Sequence, residues 1–572
     1  MQQLPTWVSF GKGVPWIAGL AVILASLSSA GWLAARRGTP LRTIISSSDM
    51  QGVLSLGLAL VSAGLCFSAR SIWEYGLWLA FFLWFAARTV LALRTHRRII
   101  AVQAQPPPTA SRRNVSDSDA LLRSAARWVV SIEPWLVLAL MPFLMFPNRV
   151  TPLLLPLLAI PWLGRRFTQG HFTARTAMDG AILVLVLMLP ISVWASTNVQ
   201  NSVPKLYGII LGIAVFYAIV NYVQTPVRAG WLGLAIALGG VGVSVLALLG
   251  TEWPTSWLAW PQAYDDLPRL IARMTGGPTG GFNPNEAGAA LSLFVPFTAG
   301  LLFLGFFERR HTVAAGGVVW EGASVPPGLG RRFLPVLMAF GLLFMVAILL
   351  LTRSRSAWLG TAAALLLLTS FRRRWLWLGL VLVLLTGALT LYHLGTEGIL
   401  HSVLAVGTES NVSLRFEIWQ RALYMIQDFP YTGVGLNAFS PTANTLYPFF
   451  SIAPQRVLQI THAHNAFLQV AVDVGIPGLI AYLALLIGFF IAWTTAYRGL
   501  EQGPLRAISV GLLCGMVAYH VYGLTDCITL GAKPGVVIWA MLGLMAALAN
   551  LSAADQAVGG QPLMDRSRSG SR

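Results

Sequence analysis

Long apolar stretches recur along most of the chain and are separated by shorter polar segments. A helix needs about 20 mainly apolar residues to cross a bilayer, and a window of that length selects fifteen segments. They lie at residues 14–34, 52–69, 75–93, 128–146, 150–163, 178–196, 204–223, 230–250, 286–307, 333–351, 356–371, 375–393, 475–496, 505–525 and 534–550. The pattern predicts an all-α fold, a polytopic transmembrane helical bundle with about 14–15 spans.

The fifth of these segments, residues 150–163, is short and contains Pro152, Pro156 and Pro161. Proline interrupts the helical hydrogen-bond ladder, so a re-entrant loop is an alternative to a crossing. A re-entrant segment would move the arginine clusters that precede it to the other side of the membrane. We therefore expect the fifth segment to cross.

Basic residues are distributed unevenly between the two sets of loops. The chain has a net charge of +18, and two thirds of its 39 lysine and arginine residues fall on one side, in clusters such as 94–127 and 372–374. An excess of this kind marks the cytoplasmic loops of membrane proteins. The pattern places the N-terminus outside and the C-terminus inside, and it explains the positive charge without a nucleic-acid partner.

Composition agrees with a membrane protein. Charged residues make up 10% of the chain and hydrophobic residues 56%, with a mean hydropathy of +0.68, whereas about a quarter of a soluble domain is charged. The three cysteines, Cys66, Cys514 and Cys527, lie in or beside apolar stretches without paired spacing. Their positions argue against a disulfide framework and against a cysteine-bound zinc ion.

Polar segments of two kinds connect the predicted spans. Residues 101–119 and 308–330, on the cytoplasmic side, are typical of flexible linkers, and the tail 551–572 is predicted to be disordered. On the outer side, residues 251–285 and 394–474 form the longest loops. Loops of such length are usually functional or disordered, and the aromatic residues of the second loop favour an ordered, functional one.

One helix is predicted within the longer outer loop, at residues 413–429. Ile418 and Ile426 share an apolar face at helical spacing, whereas Arg415 falls on the other side. Pro430 ends the helix. We interpret it as an amphipathic helix that lies on the bilayer surface, with contact to a substrate as the alternative.

The end of the same loop carries His462 and His464, followed by Asn465. Histidine titrates near neutral pH, so either ring is a candidate general base. From spacing alone, a loop histidine bonded to the backbone explains the pattern equally well. Two histidines at this spacing can also bind a metal ion, but the nearest acid in the sequence is Asp473 and no cysteine is close, so we predict no metal.

Two arginines, Arg353 and Arg355, stand in a short turn between two predicted spans. Arginine near membrane depth usually has a function, although snorkelling to the interface is a sufficient explanation for Arg353. Guanidinium groups bind phosphate oxygens in a bidentate manner. The turn therefore predicts an anion site that faces the long outer loop.

The other outer loop contributes Arg273 and a Gly-rich run that ends at Asn285. This run is a turn that leads into a span, with Asn285 as the predicted N-cap. Asp265 and Asp266 in the same loop are expected to be solvated.

In their order along the chain, these motifs resemble the O-antigen ligase/polymerase superfamily. The resemblance rests on a T-x-S-R-x-A turn at 352–357, an R-x-x-x-W helix followed by P-x-x-G-x-G-x-N-x-F at 415–439, an H-N-x-x-L segment that continues to G-x-x-G-L at 464–479, and the G-x-F-x-P-N run before the span at 286. It covers residues 251–550. The chain is thereby divided into N-terminal membrane helices (1–250), a ligase-like membrane region (251–550) that includes the outer loop 394–474, and the tail (551–572).

The resemblance implies a GT-C-like membrane glycosyltransferase. Such an enzyme moves a glycan from an undecaprenyl-diphosphate carrier to an acceptor hydroxyl, inverts the anomeric centre and uses neither metal nor cofactor. The implied partners are the lipid-linked glycan, a glycan or lipid acceptor, and membrane lipids. The implied location is the cytoplasmic (inner) membrane, with the active site on the extracytoplasmic side.

The resemblance also assigns roles to single residues. His464 matches the family histidine that takes the proton of the acceptor, and Arg355 matches an arginine that binds the diphosphate. Arg273, whose spacing is looser, and Arg415 are assigned to the diphosphate with it. Four residues are expected to support the site: Asn465, Ser354, Asn285 and Asn437.

The motifs do not distinguish a ligase from a polysaccharide polymerase or from a protein O-oligosaccharyl transferase. A different class also remains open, namely a lipid-linked glycan flippase or another membrane transporter. A transporter typically shows inverted repeats and ionisable residues near the middle of the membrane. The sequence shows no repeat of fixed period, and its notable polar residues cluster on one side.

Overall fold

The structure, a computed structural model, describes residues 6–69, 71–96, 128–251, 253, 269, 271, 281–305, 330–372, 410–448 and 460–559. Within these residues the chain forms helices and their connections, together with one isolated bridge between Thr251 and Phe282. The predicted all-α fold is confirmed.

The helices are numbered in chain order. They are α1 (Thr6–Arg37), α2 (Leu41–Ile45), α3 (Ser48–Ser68), α4 (Ile72–His96), α5 (Glu133–Met145), α6 (Thr151–Leu154), α7 (Ala159–Gln169), α8 (Asp179–Trp194), α9 (Val199–Tyr222), α10 (Pro226–Gly250), α11 (Pro284–Gly305), α12 (Gly330–Leu351), α13 (Arg355–Ser370), α14 (Ser410–Asp428), α15 (Phe439–Leu446), α16 (Ala466–Gly499), α17 (Pro504–Tyr522) and α18 (Gly535–Gly559). A 3-10 turn, Leu155–Leu158, joins α6 to α7.

Every apolar segment predicted within the described residues contains helix. Ten of the described helices are long and apolar enough to cross a membrane, and α5 and α8 are shorter apolar helices. The chain is therefore a multi-pass membrane protein. The predicted span at 375–393 and the linker at 101–119 lie outside the described residues, as does almost all of 308–330. Of the predicted tail, residues 551–559 continue α18, so the prediction of disorder is wrong for them, and the rest lies outside.

The helix α11 lies at the centre of the bundle, and nearly all of its side chains are buried against α17, α13 and α12. Glycines allow these helices to approach closely. A Cβ at Gly515 of α17 would lie 2.6 Å from the carbonyl oxygen of Leu293, and one at Gly360 of α13 would lie 2.3 Å from that of Ala518. Small residues at contacts are the usual means of helix packing in lipid, where no hydrophobic driving force acts between helices.

The N-terminal helices pack directly against the rest of the bundle. The helix α1 contacts α16 and α8, while α3 and α4 pack against each other beside it. The outermost helix, α4, exposes large apolar side chains such as Trp73 and Trp84, as expected for a helix that faces lipid. The helix α9 lies before the predicted boundary at residue 250 but packs along α18, which lies after it. The division of the chain at that residue therefore stays a prediction.

The fifth apolar segment, formed by α6, the 3-10 turn and α7, connects the two ends of the bundle. We call the end where α11 and α16 begin the outer end, after the predicted sidedness, and the opposite end the inner end. Phe146, just before α6, lies 4.0 Å from the Lys533 ammonium at the outer end. Arg165 of α7 pairs with Glu133, which Asn221 also contacts at the inner end. The segment thus runs from one end to the other, as expected.

A joint between two glycine-containing motifs shapes the outer end. Within α16 the backbone leaves helical geometry at Gly475, whose φ is +72°, and Gly433 has a φ of +67°. A Cβ at Gly433 would lie 2.5 Å from the carbonyl oxygen of Val472. Two backbone hydrogen bonds cross the joint, from Val434 to Val472 and from Ile476 to Pro430. Only glycine fits here, because both positions combine a left-handed backbone with close contact.

The helix predicted at 413–429 is present as α14, but its predicted location was wrong. Its apolar face packs against α16 and α1 instead of lying on lipid. On the other side, Glu417 and Arg421 form a buried ion pair of 3.1 Å. The buried apolar face and the buried ion pair show that α14 packs into the protein at the outer end, although Phe416 and Gln420 stay exposed.

Candidate functional site

Four segments meet at the outer end of the bundle. They are the N-terminus of α11, the turn at 352–357 before α13, the segment 460–466 before α16, and the loop 523–527 after α17. Helix ends leave backbone groups without intrahelical partners, and here those groups bond across segments. Ala466 donates its backbone N–H to the carbonyl of Gly523 at 2.7 Å.

His464 lies in this site next to an acidic residue that the sequence analysis did not single out. Its Nδ1 lies 3.0 Å from Oδ1 of Asp526, in the loop after α17. The His464 side chain is 29% exposed, whereas that of Asp526 is 6% exposed. The backbone of His464 has a φ of +48°, a left-handed conformation that is uncommon for a residue with a Cβ. The imidazole is therefore held in a defined place and remains accessible.

The charge of Asp526 determines which nitrogen of His464 carries the hydrogen. Burial alone raises the pKa of Asp526, but the hydrogen bond and charge of His464, together with His462, lower it to below its ordinary value. An ionised carboxylate only accepts hydrogen bonds. In the neutral form of His464, Nδ1 is therefore the donor, and Nε2 carries the lone pair.

The neighbouring histidine, His462, has a different environment. Burial, followed by the charge of His464, lowers the pKa of His462 to about 4, against a weaker raising by Asp526. Its Nδ1 accepts the backbone N–H of His464 at 3.3 Å, and the two rings meet edge to face with centroids 4.3 Å apart. His462 is thus a neutral residue that supports the backbone of His464.

These residues also form a possible metal-ligand set. His462, His464 and Asp526 each offer one ligand atom, and the three atoms lie within 4.8 Å of one another. The acid is Asp526 and not Asp473, the nearest acid in the sequence, because the fold brings the loop after α17 to the histidines. The prediction that no metal binds therefore needs a direct test.

Asn465 bonds to the start of α16 and to the loop after α17, and so anchors the histidine segment to both. Its Oδ1 caps α16 by accepting the N–H groups of Phe467 and Leu468, each at 3.0 Å. Its Nδ2 donates to the carbonyl of Leu524 at 2.9 Å. Asn465 therefore ties the histidine segment to the loop that carries Asp526, which fits the expected supporting role.

A second polar network, formed by Gln469 and Asp473 of α16, supports the histidine segment. Gln469 accepts the backbone N–H of Ala463 at 2.7 Å and donates to Oδ1 of Asp473 at 2.8 Å. The same Oδ1 accepts the backbone N–H of Asn437 at 3.2 Å. Asn437 takes part through its backbone, in a left-handed turn with a φ of +58°. This buried chain links the turn at 433–437 to the two histidines.

Arg355 opens onto a cavity of about 480 Å³ at the outer end. The residues that line it are Asn283, Pro284, Asn285, Thr352, Arg353, Arg355 and Trp358. Arg353, which was expected to snorkel, shares the cavity with Arg355 and has a φ of +50°. Two guanidinium groups beside two asparagines provide a concave, donor-rich surface suited to an anion.

The cavity and the His464–Asp526 pair are joined through one loop. The hydroxyl of Ser356, next to Arg355, lies 2.7 Å from that of Thr525, next to Asp526. The arginine turn and the histidine therefore occupy two sides of the same loop, 523–527.

The capping role predicted for Asn285 differs from what the structure shows. Asn285 was predicted as the N-cap of α11, but the helix begins at Pro284, and Oδ1 of Asn283 accepts the N–H of Asn285 at 2.8 Å. Asn285 lines the cavity instead, and its carbonyl accepts from the Tyr522 hydroxyl at 3.5 Å. Ser354 precedes α13, but its buried side chain makes no cap hydrogen bond.

The remaining predicted arginines are placed in part. Arg415, in α14, is half-buried, and its charge is among the causes that lower the pKa of His462, after burial and His464. It therefore lies on the histidine side of the site. Arg273 lies outside the described residues, and its role stays a prediction.

Sequence reasoning missed Asp526, although one signal was available. Asp526 is the sole acid in the short outer segment between the spans predicted at 505–525 and 534–550. It also missed Lys205 of α9, which donates to the Thr529 hydroxyl at 2.9 Å. Both residues come from parts of the chain distant from the recognised motifs, so only the fold brings them to the histidines.

Comparison with known families supports the reading of these motifs. Residues 340–483 match the family model for O-antigen ligase, Wzy_C. The comparison with curated proteins gives no match. The matched range contains Arg355, Arg415 and His464 and ends before Asp526.

The fold is that of a multi-pass, all-helical membrane protein, and residues 340–483 of it match the O-antigen ligase family model. The predicted resemblance to the O-antigen ligase/polymerase superfamily is confirmed. The family match supports a membrane enzyme of the glycosyltransferase-like ligase or polymerase class.

Proposed function

We propose that this protein transfers a glycan from an undecaprenyl-diphosphate carrier to an acceptor hydroxyl at the outer face of the cytoplasmic membrane. The observation that carries the proposal is the hydrogen bond of 3.0 Å between His464 and ionised Asp526. It leaves Nε2 of His464 as a base at the end of the bundle that also presents Arg355.

In the proposed reaction, Nε2 of His464 takes the proton of the acceptor hydroxyl. The acceptor oxygen then attacks the anomeric carbon of the donor from the face opposite the diphosphate. The bond between that carbon and the diphosphate oxygen breaks, and the anomeric configuration inverts. Asp526 stabilises the imidazolium that forms, since it already accepts the hydrogen of Nδ1.

The leaving group is a lipid diphosphate, whose negative charge grows as the bond breaks. Fixed cations aimed at such charge lower the barrier. Arg355 and the cavity that it lines are suited to this role, and Arg273 and Arg415 are proposed to act with it. This arrangement supplies positive charge without a metal ion.

The alternative function is transport, by a flippase for lipid-linked glycan or by another carrier. Transport requires two compartments, whereas glycosyl transfer does not. The purified full chain in detergent micelles is therefore given a fluorescent undecaprenyl-diphosphate glycan, with and without acceptor. A glycosylated acceptor is expected. Movement of donor across vesicles without any transfer in micelles would establish the transporter instead.

The two histidines provide a matched comparison in the same assay. His464→Ala should lower the transfer rate by about a hundred- to ten-thousandfold, the usual contribution of a positioned base. His462→Ala should have a smaller effect, because that ring only supports the backbone of His464. The assignment fails if His462→Ala is the more damaging change.

Metal dependence is tested separately with a chelator. We expect wild-type transfer to continue after treatment with EDTA. If EDTA abolishes transfer and a divalent cation restores it, the metal-free mechanism is withdrawn, and His462, His464 and Asp526 become the metal ligands.

A further inference from the structure

A second polar cavity lies at the inner end of the bundle, far from the proposed active site. Its volume is about 420 Å³. Its lining includes Arg36, Arg165, His171, Arg175 and Asn221. Along α9, Asn221 is sixteen residues from Lys205, which contacts the outer site, and this spacing corresponds to about 24 Å of helix.

The floor of the cavity is formed by an ion pair and a network of hydrogen bonds. Arg165 is 5% exposed and pairs with buried Glu133. Asn221 donates to both oxygens of Glu133, at 3.0 and 3.2 Å, and accepts the backbone N–H of Ala174 at 2.9 Å. These bonds hold together α5, α7, α9 and the segment 170–178.

One donor on this floor has no partner within the described part of the chain. Nε of Arg165 is buried without a hydrogen bond. A buried donor without an acceptor is costly, and Arg165 lines the cavity. Nε itself is not exposed to the cavity, so the floor contributes the positive charge of Arg165 rather than a free donor.

The rim adds positive charge. Arg36, at the end of α1, and Arg175 are exposed residues that line the opening, as is His171. Neither Arg36 nor Arg175 forms an ion pair with any residue that the structure describes. Of the described residues that line the cavity, none is acidic, although Arg175 also acts electrostatically on Asp179, which does not line it.

Exposed aromatic side chains lie beside the rim. Phe172, next in sequence to His171 and Thr173, is 51% exposed, and Phe167, two residues from both Arg165 and Gln169, is 79% exposed. Apolar rings next to cations match the boundary between the acyl chains and the headgroups of a bilayer. A free anion in water would gain nothing from these rings, which favours a lipid.

We propose that this cavity binds a phosphate group, and that the phosphate belongs to the headgroup of an anionic membrane lipid. The bound headgroup joins α1 to α7 and α9, so it fastens an N-terminal helix to the rest of the bundle. This role is independent of the proposed glycosyl transfer.

The test measures the thermal stability of the full chain in lipid nanodiscs. Wild-type protein is compared in phosphatidylcholine alone and in phosphatidylcholine mixed with phosphatidylglycerol. A ligand that binds only the folded state raises the melting temperature, so phosphatidylglycerol should raise it. A further sample in phosphatidylcholine receives inorganic phosphate, which separates a lipid headgroup from a free anion.

The double variant R36Q/R175Q removes the rim charges and leaves the buried floor intact. Its binding of phosphatidylglycerol should weaken by roughly fivefold for each arginine lost, and the thermal shift should largely disappear. The matched control is Arg166→Gln, which changes an exposed arginine of α7 that does not line the cavity. The control should behave like wild type.

Three outcomes would overturn the proposal. They are no stabilisation of wild type by phosphatidylglycerol, an unchanged shift in R36Q/R175Q, and an equal loss in Arg166→Gln, which would show a non-specific charge effect. Stabilisation by inorganic phosphate alone would overturn the lipid source and retain only a phosphate site.

Discussion

Oδ1 of Asp526 and Nδ1 of His464 lie 3.0 Å apart, although 62 residues separate them along the chain. The carboxylate is buried and ionised, and the imidazole is partly exposed. An acid that accepts the hydrogen of Nδ1 leaves Nε2 of the same histidine ring to take up a proton. This relationship leads to the first prediction.

Asp526→Asn should lower the rate of glycan transfer by about a hundredfold or more. The amide of asparagine donates to Nδ1 of His464, which moves the ring hydrogen to Nε2 and removes the basic lone pair. The measurement is the transfer rate at equal amounts of folded protein, checked by melting temperature. A variant with normal stability and a normal rate would remove Asp526 from the mechanism.

Stability should fall as the pH is lowered from 6.5 to 4, and His462 should be one cause. Burial, followed by the charge of His464, lowers the pKa of folded His462 from 6.5 to about 4. Between these values the unfolded chain binds a proton that the folded protein does not, so acid favours unfolding. The loss is at most about 3 kcal/mol over the interval. Asp526 adds a slope of the same sign only near pH 4, where the unfolded carboxyl begins to bind a proton and the folded one, with its lowered pKa, stays ionised.

The control for this effect is His462→Gln, whose amide oxygen can still accept the N–H of His464. Melting temperatures measured across the interval should show a shallower pH dependence for the variant than for wild type. Parallel curves would show that His462 is not the group responsible.

Arg355→Lys keeps the charge but loses the guanidinium fork, so it should lower transfer, and Arg355→Ala should lower it further. Hydrogen bonds to charged groups contribute about 1.5–3 kcal/mol, equivalent to roughly one to two orders of magnitude in rate. Arg353→Ala should be milder. The control is Arg149→Ala, an exposed arginine outside the cavity. Equal activity of Arg355→Ala and the control would refute diphosphate binding by Arg355.

Gly433→Ala should destabilise the outer end of the bundle. The left-handed backbone costs a residue with a Cβ about 1–2 kcal/mol, and the added carbon would lie 2.5 Å from the carbonyl oxygen of Val472. Gly239→Ala is the matched control, because a Cβ there has nothing within 4 Å. Melting temperatures should fall for the first variant only. Similar melting temperatures for both variants would show that the backbone at the joint between Gly433 and Gly475 can shift to accommodate a Cβ.

Sidedness is tested with two single cysteines at exposed positions. Asn444→Cys, at the outer end, should react with an impermeant thiol reagent added to intact cells, whereas Gln502→Cys, at the inner end, should not. The three native cysteines are buried, so they should give little background. The reverse labelling would place both the topology and the proposed active site on the other side of the membrane.

Much of the fold could be predicted from the sequence alone. Apolar runs of membrane-spanning length have few structural solutions, since every backbone group in lipid must be paired within the helix. The helix that ends before Pro430 followed from spacing and one proline. The motifs around Arg355 and His464 were also visible, because each lies within a short stretch of sequence.

The tertiary structure decided what surrounds those motifs. Asp526 reaches His464 only because α17 returns the chain to the outer end, and Gln469 supports Ala463 only because α16 begins beneath it. The packing of α14 inside the protein also depended on its neighbours, since an apolar face is equally compatible with lipid and with a protein core. Periodicity along a chain reports which side of a helix is apolar. What that side contacts depends on helices distant in sequence. The protonation state of each ionisable group depends on the same distant helices.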